Sequence, residues 1–238
     1  MAQTYLVNDI YASIQGEGVM TGVPMVLLRL HGCPVGCPFC DTKETWLVRD
    51  EDQRTTISAA LGADSLYAMM SASEISAYIV ATYGEGGPEL QEGATRKAGP
   101  AWVLITGGEP GLQPLAELVG VLQRAGYSVA VETSGTAEGV LGAGLDWVCV
   151  SPKIAMPGGL RVLPAVVAIA DEIKMVIGRE RDFVKLEQLL AATSLKRGAT
   201  ISLQPMSQSP AATRLCMDKA LQTGWRMSVQ VHKYLSIK

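Results

Sequence analysis

Six short apolar runs in this chain end alike, each on a cluster of small, polar or charged residues. Residues 23–31 (VPMVLLRLH) run into Cys33, and residues 101–106 (AWVLIT) into Gly107-Gly-Glu-Pro110. Residues 127–132 (YSVAVE) run into Thr133-Ser-Gly135, and residues 145–150 (LDWVCV) into Ser151-Pro-Lys153. Residues 199–203 (ATISL) run into Gln204-Pro-Met-Ser207, and residues 226–231 (RMSVQV) into His232-Lys233. Short β-rich runs that are nearly all apolar are expected of strands buried on both faces. Helical patterns separate them at residues 71–83, 112–125, 161–170, 182–192 and 209–223, with a further strand at 172–177. Ser73, Asp182 and Ser209 are the expected helix caps, and Pro210 fits a first helical turn.

Alternating strands and helices of this length predict an α/β fold with a parallel sheet covered by helices. About six or seven βα units suit an incomplete TIM-type βα barrel better than a closed eightfold one. In parallel α/β folds chemistry sits at the carboxyl ends of the strands. The polar clusters therefore face one mouth. A length of 238 residues fits a single domain, 1–238, with a variable insertion inside residues 49–100. Its glycine-rich part, residues 84–97, is expected on the surface.

The net charge of −3 leaves no basic footprint for nucleic acid. No apolar run approaches the roughly 20 residues of a membrane span. The N-terminus lacks the basic and apolar regions of a signal peptide. The expectation is a cytoplasmic enzyme with no nucleic-acid or membrane partner.

Three of the five cysteines, Cys33, Cys37 and Cys40, fall within eight residues as C-x3-C-x2-C. A disulfide framework is spread out and even-numbered, so clustered thiols point to a metal. Soft sulfur donors select iron–sulfur clusters or zinc. Three thiolates suit a [4Fe–4S] cluster with one iron left open. Structural zinc takes four ligands, and His31 is the available fourth. Cys149 and Cys216 read as buried packing residues.

Other polar residues break the apolar pattern. Gln15-Gly-Glu-Gly18 reads as a tight polar turn. Arg29 and Lys174 interrupt buried strands, and each needs a ligand or a carboxylate partner. The glycines of 107–108 permit close approach of a ligand to the backbone, and Glu109 can hold an ammonium. Lys153 suits a carboxylate or hydroxyls. His232 stands at an expected strand end.

The cysteine triplet with Phe39 before its last member, together with Gly107-Gly-Glu-Pro110, resembles the radical S-adenosylmethionine (SAM) enzymes. With Gln15-Gly-Glu-Gly18, residues 32–46, Glu132-Thr-Ser-Gly135, Val150-Ser-Pro-Lys153 and His232-Lys-Tyr-Leu235, the chain resembles the 7-carboxy-7-deazaguanine synthase family from residue 15 to 235. The resemblance implies a radical SAM core and ring contraction of 6-carboxy-5,6,7,8-tetrahydropterin with loss of ammonia, a lyase step toward the deazapurine of queuosine. It implies SAM bound to the open iron, cleavage to a 5′-deoxyadenosyl radical, abstraction at pterin C6 and return of the hydrogen. Mg2+, an external electron donor such as flavodoxin, and a homodimer come with it.

Carried over residue by residue, Cys33, Cys37 and Cys40 resemble the cluster ligands and Thr42 the Mg2+ ligand. Phe39, Asp41, Gly108, Glu109, Ser134, Ser151, Pro152, Lys153, Gln204, Pro205, Met206 and Ser207 resemble the surroundings of the SAM. Ile14, Gln15, Gly16, Glu17, Arg29, Thr106 and His232 resemble substrate contacts, as does the terminal carboxylate of Lys238. Arg29 would then pair with the pterin carboxylate through a bidentate guanidinium contact. Two alternatives stay open from the residues: a glycyl-radical activating enzyme, which shares the cysteine spacing, and a non-catalytic zinc-bound interaction module.

Overall fold

The computed structural model describes residues 3–62, 65–86 and 99–237. Most of the expected surface stretch at 84–97 lies outside those residues, and so does Lys238. In chain order the elements are β1 (Thr4–Ile14), β2 (Pro24–Leu30), β3 (Gln53–Arg54), β4 (Tyr67–Ser71), α1 (Ala72–Tyr83), β5 (Trp102–Gly107), α2 (Ala116–Arg124) and β6 (Ser128–Thr133). There follow β7 (Trp147–Val150), α3 (Pro164–Ala168), β8 (Glu172–Ile177), α4 (Glu180–Ala191), β9 (Thr200–Pro205), α5 (Pro210–Thr223), β10 (Arg226–Met227) and α6 (Val231–Leu235). Among the described residues no helix is long and apolar enough to cross a membrane.

Among the described residues one sheet contains all the strands, in the order β10-β9-β8-β7-β6-β5-β2-β1-β4-β3. From β2 to β10 every neighbouring pair is parallel. The fold is α/β, an incomplete βα barrel with open edges at β10 and β3. β1 runs antiparallel to both β2 and β4. The sequence reading gave residues 5–14 no sheet role. Their polar members, Asn8, Asp9 and Ser13, mask the strand pattern.

Side chains alternate across the sheet. One face carries Val26, Leu28, Val103, Ile105, Val129, Val131, Ile173 and Met175, which pack with the helices in the main core. The other face, inside the barrel, holds a small apolar plug of Met25, Leu104 and Ala130 at one end, backed by Trp102 and Trp147. Toward the carboxyl ends of the strands the interior turns polar: Arg29, Thr106, Glu132, Ser151 and Gln204. The plug closes the floor, and the site sits above it.

Several element ends differ from the sequence expectation. The cap of α1 is Ser71, not Ser73: its hydroxyl accepts from Glu74 N at 3.3 Å, and the Glu74 carboxylate returns the bond to Ser71 N at 2.7 Å. α2 starts at Ala116, because Pro110–Leu112 forms a separate 3-10 turn and Pro114 follows it. α3 starts only at Pro164. Asp182 lies in the first turn of α4, where its carboxylate accepts from the Gly178 and Arg179 amides, both at 3.0 Å. Ser209 and Pro210 begin α5 as expected. The last strand stops at Met227; residues 228–230 leave the sheet, and His232 lies in α6.

The open barrel is bridged by the turn after β1. Val19 N donates to both carboxylate oxygens of Glu172 on β8, at 3.1 Å each. Gly18 N donates to Ser228 Oγ at 2.9 Å, and Ser228 Oγ in turn donates to Gln204 on β9. Val231 N donates to Gly16 O at 2.8 Å. A Cβ on Gly16 would lie 2.3 Å from His232 Nδ1, so this crossing needs glycine.

Candidate active site

The cysteine loop leaves β2 at the mouth and is pinned on three sides. Its ends meet through Gly32 N to Thr45 O (2.7 Å) and Cys33 N to Trp46 O (3.0 Å). The turn after β5 closes against it: Gly108 N donates to Leu30 O and Glu109 N to Gly32 O, at 2.8 and 2.9 Å. A Cβ on Gly108 would stand 2.2 Å from Gly32 O. From the far side, Gly158 N donates to Val35 O at 3.0 Å.

Within the loop, Cys40 Sγ accepts from Trp46 Nε1 and from Thr42 N, each at 3.4 Å. Burial pushes the Cys33 thiol up to about 11 and raises that of Cys37, where Lys153 opposes the effect. Metal binding by these groups therefore releases protons.

The chemistry of the donor set fits a metal centre: Cys33, Cys37 and Cys40 all line one cavity, and soft thiolates select iron–sulfur clusters or zinc. A structural zinc would need a fourth ligand. His31 has Nε2 on Leu47 O at 2.9 Å and its ring stacked on Tyr67 with centroids 4.8 Å apart. Burial lowers the His31 pKa, which favours the neutral ring. Among the described residues the only group of three or more His, Cys, Asp or Glu ligands within 4.8 Å of one another is Glu17, Asp41 and His232.

A single cavity lies over the loop, and most of the sequence-derived residues line it. The loop contributes Cys33, Cys37, Phe39, Cys40, Asp41 and Thr42. Strand ends contribute Arg29, Thr106, Gly108, Glu109, Ser134 and Ser151, with Lys153 after β7 and Gln204, Pro205, Met206 and Ser207 at the end of β9. The turn after β1 contributes Glu17. Ser207 turns through the left-handed region, at φ 52°.

Some expected residues stand back from the cavity wall. Gln15 accepts from Glu17 N at 3.1 Å through its side chain and so shapes the turn. Ile14 ends β1, Gly16 packs under His232, and Pro152 is buried beside Lys153. His232, carried on a helical turn, brings a ring nitrogen within 4.8 Å of the Glu17 and Asp41 carboxylates.

Three polar clusters organise the walls. Glu109 is 1% exposed, and its carboxylate accepts from Gly111 N (2.8 Å), Thr133 Oγ1 (2.5 Å) and Ser134 N (2.7 Å). Lys153 donates to Ser151 Oγ at 2.5 Å and lies 5.9 Å over the Phe39 ring. Arg29 donates to the Tyr11 hydroxyl at 2.7 Å, a partner on the neighbouring strand β1 that the sequence did not suggest.

The residue that sequence reasoning missed is Gln230, together with the role of Trp46; Lys233 enters it only as part of the polar cluster at an expected strand end. Gln230 Nε2 donates to Glu17 (2.7 Å) and Asp41 (3.3 Å), and Lys233 pairs with Asp41 at 2.9 Å. Reading 226–231 as a strand hid Gln230. Trp46 was visible within the cysteine motif, but its bond to Cys40 depends on the loop closing. Cys149 and Cys216 are both buried.

No family model matches the chain. Among known proteins, the chain is 41% identical to 7-carboxy-7-deazaguanine synthase of Escherichia coli (strain K12) over 233 residues, 98% of this chain and 99% of that protein. It is 34% identical to 7-carboxy-7-deazaguanine synthase of Buchnera aphidicola subsp. Schizaphis graminum over 237 residues, 98% and 99% of the two chains. The fold matches the crystal structure of QueE from Escherichia coli with a TM-score of 0.81 and 36% identity, covering 96% of this chain and 95% of that one. Similarity sustained over the whole length, in sequence and in fold, means that the chain belongs to the 7-carboxy-7-deazaguanine synthase family.

Proposed function

We propose that this protein is a radical SAM lyase that contracts 6-carboxy-5,6,7,8-tetrahydropterin to 7-carboxy-7-deazaguanine with loss of ammonia, in deazapurine biosynthesis. The observation that carries the proposal is one cavity that gathers the three-cysteine loop, the Gly-Gly-Glu turn and the Arg29–Glu17 wall, in a member of this family. When bound, the [4Fe–4S] cluster and SAM supply a reductively generated carbon radical.

The chain's own residues hold and orient the reactants. Cys33, Cys37 and Cys40 would hold the cluster. Glu109 has one oxygen bonded to two donors and the other to a single amide, leaving acceptor capacity for the SAM ammonium. Gly108, Ser134, Ser151, Lys153 and the 204–207 turn would complete the SAM site, with Phe39 and Asp41 flanking it. Arg29 would meet the pterin carboxylate, and Glu17, Thr106 and His232 its polar edge. Thr42 would carry Mg2+ beside the loop.

The same reading brings an external low-potential donor such as flavodoxin and a homodimer, and clustered thiols fit the reducing cytoplasm. One continuous sheet from Thr4 to Met227 supports a single domain.

The test is anaerobic reconstitution with iron and sulfide, followed by SAM, reductant and 6-carboxytetrahydropterin. The expected result is 7-carboxy-7-deazaguanine and ammonia with little net consumption of SAM. SAM cleavage without ring contraction would reject the proposal.

A further inference from the structure

Lys174 sits in the middle of β8 with its side chain 2% exposed. A buried ammonium is costly unless it is paired and hydrogen-bonded. Lys174 is paired twice, with Glu17 from the turn after β1 and with Glu132 from β6, the latter at 2.5 Å. Both carboxylates line the cavity, and Lys174 stands behind them. Neither β6 nor the turn is a sheet neighbour of β8, so this cation is what ties the two carboxylates together.

The inward face of β8 reads Glu172, Lys174, Val176 toward the mouth, and each has a different task. Glu172 holds the amide of Val19, Lys174 holds the two carboxylates, and Val176 lines the cavity. Glu17 is anchored at both oxygens, one by Lys174 and the other by Gln230 at 2.7 Å. Two carboxylates and one ammonium leave a net negative charge at the back of the mouth.

The groups facing Lys174 are Glu17, Glu132, Cys149 on β7 and Glu172 on its own strand, with His232 and Asp41 beyond Glu17. Burial works against charge on Lys174, but Glu132 and then Glu17 outweigh it and hold the ammonium charged. Burial likewise disfavours the Glu17 carboxylate, and Lys174 overcomes that too. Cys149 is driven up by burial and stays a thiol.

We infer that Lys174 is a positioning residue of this site: it fixes Glu17 and Glu132 as a pair of hydrogen-bond acceptors facing a substrate rich in N–H donors. The aminopyrimidinone edge of a pterin has that chemistry, and in this respect the inference rests on the proposed function. Lys174 does not touch substrate. It acts by setting the charge and direction of the groups that do.

The test uses full-length protein with Lys174→Met, Lys174→Arg, and Lys174→Met combined with Glu132→Gln. The last removes the excess negative charge, and it carries the test where Lys174→Met does not fold. Binding of 6-carboxytetrahydropterin without reductant is read by equilibrium dialysis, alongside SAM binding. The Kd for the pterin is expected to rise on the order of tenfold to a hundredfold in the methionine variants, with SAM affinity unchanged. Lys174→Arg, which keeps the cation, is expected to recover most of the binding. In Lys174→Met, kcat/KM for the pterin is expected to gain an acid limb between about pH 5 and 7 as Glu17 loses its counter-charge. Wild-type pterin affinity and a wild-type pH profile in the folded methionine variants would overturn the inference and leave Lys174 a purely structural tie. Failure of the wild-type protein itself to bind the pterin would instead defeat the proposed function.

Discussion

Cys37 and Arg29 separate the parts of the site most cleanly, because each can be removed without touching the sheet's hydrogen bonds. Cys37→Ala should abolish iron retention and turnover and cost the fold about 1 kcal/mol, since the loop is pinned by backbone bonds at Gly32, Cys33 and Val35. An iron assay and a thermal melt on the same preparation check both halves. Arg29→Ala should raise the pterin KM on the order of tenfold to a hundredfold and leave iron content and SAM affinity unchanged; loss of SAM affinity would overturn its assignment. At this scale the sequence was most legible where a side chain announces its chemistry. Cysteines at metal spacing, an arginine in an apolar strand and a glutamate after two glycines all stood out before any fold was known. Lys174 also stood out, but its partners did not. Glu17 and Glu132 meet it only because barrel curvature brings the turn after β1 and the end of β6 to one point inside.

At the scale of elements, the strands were read from apolar runs, and their carboxyl ends do surround one cavity. The failures came where local pattern and tertiary role diverge. Residues 226–231 alternate like a strand, yet only Arg226 and Met227 pair with β9. Ser228, whose amide still reaches Leu203 O on β9, and Gln230 are buried with hydrogen bonds to Gln204 and Glu17. β1 was missed for the opposite reason, its buried Asn8 and Asp9 breaking the apolar signature. Close backbone packing between elements gives a prediction of its own. Gly108→Ala places a Cβ against Gly32 O, 2.2 Å away, and backbone cannot yield cheaply there. The variant should lose iron faster than wild type under mild chelation while keeping its helices by circular dichroism. Unchanged iron retention would show that the two loops are not mechanically coupled.

At the scale of the whole molecule, the open sheet is bridged by a polar strap, residues 15–19, rather than by strand pairing. That makes the bridge sensitive to pH. Burial raises the Glu17 pKa, but Lys174 more than offsets it and holds the carboxyl well below the ordinary range. A depressed carboxylate stabilises the fold above its unfolded pKa, and the contribution is lost as pH falls toward the folded value. Tm should therefore drop on acidification below about pH 4, and more steeply in wild type than in Glu17→Gln; parallel curves would remove Glu17 from the bridge. The claim on which the rest depends is that the cysteine loop at this mouth is an iron–sulfur site. The most direct measurement is metal and sulfide analysis with a visible spectrum of anaerobically reconstituted protein. About four iron and four sulfide per chain, with broad absorbance near roughly 400 nm, is the predicted result. A colourless protein holding one zinc per chain would contradict it.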